Sequence, residues 1–301
     1  MSIIAITGGT GFVGGKLIEL ALAAGHQVRA LARRDQQARA GLTWIAGSLE
    51  DTDALVALAT GADAVVHVAG VVNAATPAGF ISGNVEGTAN MLAAATSLGI
   101  RRFVHVSSLT AREPQLSNYG HSKERAEAKV LQSNLDWTIV RPPGVYGPGD
   151  MDMLDMFRLA KRGIAVLPPP GKISLIEVSD LARLLLALVS HDPGRIILEP
   201  DDGAADGWTH DAFARAIGAA VGQRVLPLAL PKAILSLAAR GDRLFRGEKA
   251  KLTLDRVGYL SHPDWRIDPA RRPAPDLWRP QIPTPRGLAA TAAWYRANSL
   301  L

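Results

Sequence analysis

Tyr119 and Lys123 stand four residues apart in Tyr119-Gly120-His121-Ser122-Lys123, a spacing that turns both side chains to one face of a helix. A phenol beside an ammonium suits proton transfer. A hydride delivered to a carbonyl carbon leaves an alkoxide, and a phenol can protonate it if a neighbouring cation favours phenolate, bringing its pKa below the ordinary value of about 10. In the oxidative direction the same tyrosine is the base. Upstream, His105-Val106-Ser107-Ser108 ends an apolar run, and Ser108 is expected to hydrogen-bond the substrate oxygen. A second constellation opens the chain. Thr7-Gly8-Gly9-Thr10-Gly11-Phe12-Val13-Gly14 follows the apolar run from Ile3 and leads into a helical pattern. Gly8 permits a tight turn, Gly11 lets backbone approach a pyrophosphate, and Gly14 lets the helix pack closely on the strand. The helix N-terminus then supplies amide donors to an anion.

These residues need a frame, and the first 145 positions supply one. Short apolar runs alternate with amphipathic stretches, the pattern of βαβ units and a parallel sheet. Strands are predicted at Ile3 to Thr7, Gln27 to Ala32, Thr43 to Ala46, Ala64 to Val68, Arg102 to Ser107 and Trp137 to Arg141. Helices are predicted over Val13 to Ala24, Thr52 to Ala59, Gly83 to Leu98 and Lys123 to Gln132. Six such strands make an α/β, doubly wound, parallel Rossmann-type sheet. Beyond Arg141 the prolines Pro142, Pro143, Pro148 and Pro168 to Pro170 break the alternation. The expected organisation is a nucleotide-binding domain over 1–145, with 172–200 returning to it through a helix from Ser179 to Ser190. A smaller mixed substrate lobe takes 146–171 and 201–301.

Composition narrows the classes. The chain has 301 residues, 48% apolar and 20% charged, enough for one large α/β domain with an appended lobe. It has no cysteine, so disulfides, thiolate metal sites and a thiol nucleophile are excluded. The seven histidines show no metal-ligand spacing, and no metal is expected. The net charge of +5 is scattered without a dense basic block, which argues against nucleic acid as a partner. No apolar run reaches about 18 residues and no signal peptide is read at the start, so the expected setting is cytoplasmic, without a transmembrane segment.

The glycine spacing, the Ser-Ser pair and Tyr119-x-x-x-Lys123 together resemble the extended branch of the short-chain dehydrogenase/reductase superfamily, the epimerase/dehydratase family, and its ketone-reducing, hydroxysteroid-dehydrogenase-like members. The resemblance spans nearly the whole chain, from the glycine loop to Trp294-Tyr295-Arg296 near its end, and is strongest over residues 1 to 150. It implies a nicotinamide cofactor, with Lys123 also binding the nicotinamide ribose. An acidic residue usually ends the second strand of an NAD site; Ala32 stands here, followed by Arg33 and Arg34, and guanidinium groups suit a 2′-phosphate. NADP is therefore expected over NAD. Ser48 and Leu49 occupy the adenine-proximal position where the family commonly has Asp. Val68, Ala69 and Gly70 correspond to the segment beneath ribose and phosphates, and Asn84 matches a cofactor-proximal position, a structural role for it being equally open. Val106, Ser107, Pro142, Pro143 and Val145 fall near the expected nicotinamide, and Tyr146 is expected to serve packing.

The same resemblance addresses the reaction. Dehydratases of this branch place Asp-Glu after the serine; Leu109 and Thr110 stand here, which disfavours loss of water. Nucleotide-sugar enzymes carry an arginine where this chain has Lys172, a point charge without the planar fork. Val225 to Phe245 resembles a segment of lipid-reducing relatives. Core packing is the adopted reading for it, with an apolar pocket lining or a membrane face as alternatives. The expected function is interconversion of a ketone and a secondary alcohol on a small, apolar or lipid-like substrate. The alternatives are a nucleotide-sugar epimerase that retains its cofactor, and a non-catalytic nucleotide-binding subunit of a larger complex. Members of the family often form homodimers.

Overall fold

Near-continuous apolar runs become strands buried on both faces, as an all-parallel sheet requires. In chain order they are Ile3–Thr7 (β1), Gln27–Ala32 (β2), Leu42–Ala46 (β3), Ala64–His67 (β4), Arg102–Val106 (β5) and Asp136–Val140 (β6). Every residue of β4 and β5 is buried. A seventh strand, Ile196–Leu198, joins β6, and the sheet runs Ile196–Leu198, β6, β5, β4, β1, β2, β3, all parallel. The pattern predicted six strands; three residues behind Pro193-Gly194 are too short to register as a seventh. Because β1 pairs with both β2 and β4, the sheet changes its direction of growth between β1 and β4. Ligands of such folds sit outside the carboxyl ends of the strands at that point.

The computed structural model describes residues 1–247 and 250–301, and the chain divides into two compact units. The first comprises Met1–Pro142, Leu181–Glu199 and Arg271–Trp278; the second comprises Pro143–Asp180, Pro200–Ala270 and Arg279–Leu301. The division falls at Pro142, three residues before the expected 145; the return starts at Leu181 instead of the expected 172, and the first unit also takes 271–278, which the sequence pattern leaves in the lobe.

Five helices accompany the first six strands: Phe12–Ala23 (α1), Thr52–Ala59 (α2), Pro77–Phe80 (α3), Gly87–Ser97 (α4) and Asn118–Leu131 (α5). Their apolar faces cover the sheet through Leu55, Leu58, Met91 and Leu92, which cluster with Val65, Phe103 and Ile139. Two helix boundaries differ from expectation for local reasons. Ser117 Oγ accepts from Gly120 N at 2.9 Å, so α5 starts five residues before Lys123 and takes Tyr119 into its first turn. Between Ile81 and Glu86 the coil widens, Gly87 N donating to Ser82 O five residues back, so the predicted Gly83 helix enters α4 through a π turn.

The second unit is built on small two- and three-stranded sheets. Gly144–Tyr146 pairs with Leu175–Glu177, and Ile164–Leu167 with Leu226–Ala229. Its core holds Tyr146, Phe157, Leu288 and Tyr295, all fully buried. The Tyr146 hydroxyl donates to Thr284 Oγ1 at 3.2 Å, and burial pushes its pKa up, so this tyrosine packs as expected. The helix Val178–Ser190 is capped by the Glu177 carboxylate, which accepts from Ser179 N at 2.6 Å, rather than by Ser179. Asp180 instead receives Gln281 N and Ile282 N at 2.9 and 2.8 Å.

Candidate active site

The glycine turn forms as its spacing requires. Gly8 adopts φ +73, and a Cβ there would lie 2.7 Å from Ala69 N in the segment after β4. A Cβ on Gly14 would fall 2.1 Å from Gly8 O, so only glycine lets α1 rise this close to β1. Gly11 N donates back to Gly8 O at 3.0 Å, and Gly11 starts α1 with no side-chain cap. Thr10 and Gly11 are exposed, Gly9 is buried under Ile18, and Phe12 and Val13 are half-buried. The helix N-terminus therefore presents backbone amides in a cradle where Gly8, Gly9, Gly11 and Gly14 contribute no Cβ, which fits a pyrophosphate.

Behind this cradle runs a chain of hydrogen bonds. Thr7 Oγ1 accepts from Ala69 N at 3.2 Å and lies 2.8 Å from His67 Nδ1. His67 Nε2 lies 3.1 Å from Thr88 Oγ1, which donates to Asn84 O at 2.6 Å. Thr88 has one proton, committed to Asn84, so Nε2 must carry the imidazole hydrogen and Nδ1 accepts from Thr7. The ring is neutral: burial, with Lys123 nearby, pushes its pKa to about 3. His105, opposite it on β5, stacks on it at 5.5 Å, and burial, Lys123 and His67 hold it well below the usual range.

Lys123 is near enough to both rings to act on their charge. Its ammonium is buried and donates to Val106 O at 2.8 Å, and it would approach a Cβ on Gly70 to 3.5 Å. Desolvation lowers its pKa from 10.5 to about 8, against the opposing pull of Glu127. Asn84 ties the surroundings together. It accepts from Val71 N at 2.7 Å, donates to Val71 O at 2.9 Å, and donates to Ser122 Oγ at 2.8 Å, while Ser122 bonds Tyr119 O at 2.8 Å. Gly120 presses α5 against the turn Leu109–Arg112, where a Cβ would lie 2.7 Å from Thr110 O. Ser108 caps that turn, its Oγ accepting from Thr110 N at 3.2 Å and Thr110 Oγ1 at 3.0 Å. Both lone pairs are engaged, so its own proton is the one to donate. Tyr119 is half-buried, its ring 6.3 Å from that of Phe80.

Other expected residues stand differently. Ser107 is turned away: its Oγ donates to Glu127 Oε1 at 2.5 Å. Glu127 receives two Arg141 nitrogens at 2.8 and 2.5 Å, and Arg141 and Arg112 both reach Glu199, at 3.4 and 3.0 Å. Ser48 Oγ accepts from Glu50 N at 3.2 Å, and Leu49 packs over Gly87 while its carbonyl takes Asn90 Nδ2 at 2.8 Å. Arg33 and Arg34 are exposed just past β2, next to β1, and Val68 is half-buried after β4. Pro142 closes the first unit, whereas Pro143 and Val145 belong to the second. Lys172 is engaged by Asp206, which also holds Arg266. The sequence pattern missed His67, Thr88, His105, Ser122 and Glu127. A histidine at the end of Ala64-Val65-Val66 and another within Phe103-Val104-His105-Val106 was the available signal.

A family model described as NAD(P)H-binding matches residues 8–192, from within the glycine turn to just past the helix that ends at Ser190. This chain belongs to that family. The extended short-chain dehydrogenase/reductase also resembles, at 34% identity over 99% of its length and 96% of the relative's, the ceramide reductase of Caulobacter vibrioides. A second relative is the 4-hydroxy-2-methyl-3-oxo-4-farnesyl-3,4-dihydroquinoline-1-oxide ketoreductase of Stigmatella aurantiaca, 32% identical over 66% of this chain and 68% of the relative. In fold it matches the Bordetella bronchiseptica enzyme WbmG, solved in complex with NAD and UDP, with a TM-score of 0.76, 19% identity, and coverage of 100% of this chain and 96% of that one. The dehydrogenase/reductase is thus an NAD(P)-dependent oxidoreductase with a Rossmann-type domain.

Proposed function

We propose that this enzyme uses NADP to interconvert a ketone and a secondary alcohol on an apolar, lipid-like molecule, with Tyr119 moving the proton. The observation that carries the reading is the buried Lys123 ammonium, held by the neutral Val106 carbonyl one helical turn from Tyr119. The cofactor supplies the hydride. Gly8 to Gly14 would hold its pyrophosphate on the amides of α1, and Arg33 and Arg34 would take the 2′-phosphate by charge-assisted hydrogen bonds. Ser108 donates to the carbonyl oxygen, Tyr119 gives it a proton as negative charge develops, and Lys123 stabilises the phenolate left behind. Because Asn84 and Ser122 hold the first turn of α5, the phenol and ammonium keep one geometry through the cycle. The apolar substrate class is supported by two relatives named for reductions of ceramide and of a farnesylated ketone.

The test is NADPH oxidation with long-chain 3-oxo substrates. Tyr119→Phe should lower turnover by about 10²- to 10⁴-fold and leave NADPH affinity within about twofold. Full activity in that variant would refute the mechanism, tighter NADH than NADPH binding would refute the cofactor choice, and sugar-nucleotide interconversion without net NADPH consumption would make the protein an epimerase.

A further inference from the structure

The helix Lys232–Arg246 of the second unit buries only Leu235 and Ala239. These two pack on Val257, with Leu230 and Leu252 at the margin. Core packing, the reading adopted from the sequence for Val225 to Phe245, therefore holds at Val225, which joins the unit's main core, and along one narrow seam of the helix. The opposite face is apolar and open to solvent: Ile234 is 49% exposed, Leu237 69%, Leu244 83% and Phe245 88%. Ile234, Leu237 and Leu244 follow the three- and seven-residue spacing of one helix face. The strand pair Ile164–Leu167 and Leu226–Ala229 repeats the pattern, since Ile164 pairs with Leu226 and Val166 with Leu228, and all four side chains are exposed.

Charge accompanies this apolar surface. Between Arg224 and Arg256 the chain carries eight Lys and Arg against three Asp and Glu, a surplus of five that equals the net charge of the whole protein. Lys232, Arg240 and Arg243 are exposed along one flank of the open face. Asp242, the single acidic residue of the helix, faces inward, where it accepts from Lys251 N and Leu252 N at 2.9 and 3.0 Å and pairs with Arg246 at 3.2 Å. A helix with leucine and phenylalanine on one face and cations beside them is the form that lies in the plane of an anionic bilayer. Its 15 residues are too few to span one, and among the described residues no helix is long and apolar enough to cross a membrane. A second copy of the chain is the poorer occupant, because it would bring the same cations against themselves.

We propose that the outer face of Lys232–Arg246 seats this enzyme peripherally on anionic lipid, Leu237, Leu244 and Phe245 entering the headgroup boundary while Lys232, Arg240 and Arg243 meet the phosphates. The proposal does not depend on which ketone is reduced. The full-length protein should float with vesicles containing phosphatidylglycerol and not with pure phosphatidylcholine, and it should be released between about 50 and 500 mM salt. Leu237→Glu with Leu244→Glu, and separately Arg240→Glu with Arg243→Glu, should each lower partitioning by at least about tenfold. Both double variants should keep the wild-type melting temperature and NADPH affinity, because the altered side chains face solvent. No flotation at low salt, equal flotation on neutral vesicles, or flotation unchanged by either double variant would overturn the proposal. A leucine variant whose particle mass in light scattering is half that of the wild type would also overturn it, making the face a dimer contact instead.

Discussion

Lys123 and Glu127 lie one turn apart on α5, both buried, and their surroundings are opposite. Glu127 sits in a paired network: two Arg141 nitrogens and the Ser107 hydroxyl engage both its oxygens, and Arg112 and Arg141 neutralise Glu199 beside it. Lys123 faces a neutral carbonyl, two neutral imidazoles and a glycine, and its pKa falls to about 8. A buried charge that is fully paired holds structure, and one left short of partners is poised for a ligand or a reaction. The same helix therefore carries a structural turn and a reactive turn.

Removing one charge at a time breaks the comparison most directly. Lys123→Met should lower turnover by at least about 10²-fold. Lys123 has a folded pKa of about 8, below its ordinary 10.5, so burial disfavours its charged form and the cost is greatest below about pH 8. That cost is relieved as pH rises toward 10.5, so the melting temperature of Lys123→Met relative to wild type, without cofactor, should fall across this window. Glu127→Ala should instead cost about 3–5 kcal/mol in urea unfolding, because it leaves Arg141 with the longer contact to Glu199 alone and the Ser107 hydroxyl without its acceptor. If Lys123→Met proves the more destabilising of the two, the contrast between the turns is wrong.

A pH series sharpens the same contrast. The wild-type kcat/KM should decline above about pH 8 as Lys123 loses its proton. Glu127 raises that pKa, so Glu127→Gln should move the decline to lower pH; a profile that does not move would separate the two groups electrostatically. The two serines extend the contrast. Ser107→Ala should cost about 1 kcal/mol of stability and leave turnover unchanged, whereas Ser108→Ala should lower turnover by about 10²-fold. Equal kinetic losses would return Ser107 to the active site.

Much of this was legible beforehand because glycine and periodicity are local signals. Gly8 and Gly14 occupy positions that no Cβ could enter, and β1, β2, β4 and β5 come within a residue of their predicted bounds. The start of α5 was not legible, since Ser117 becomes its cap only when its hydroxyl meets Gly120 N. The pairing of Glu127 with Arg141 was also hidden, as was that of Glu199 with Arg112, because the partners are 14 and 87 residues apart.

Spacing alone determined the chemistry on offer: a phenol and an ammonium on one helix face, behind a glycine turn that opens onto amides. Tertiary structure decided which groups are free to use it. Burial strips water from Lys123 and gives it a carbonyl where Glu127 receives a guanidinium, and no linear pattern records which of two neighbouring charges will be paired. It also decided that the Lys232–Arg246 helix turns leucines outward, because Leu235 and Ala239 meet Val257 while Leu237 and Leu244 stay exposed among the described residues.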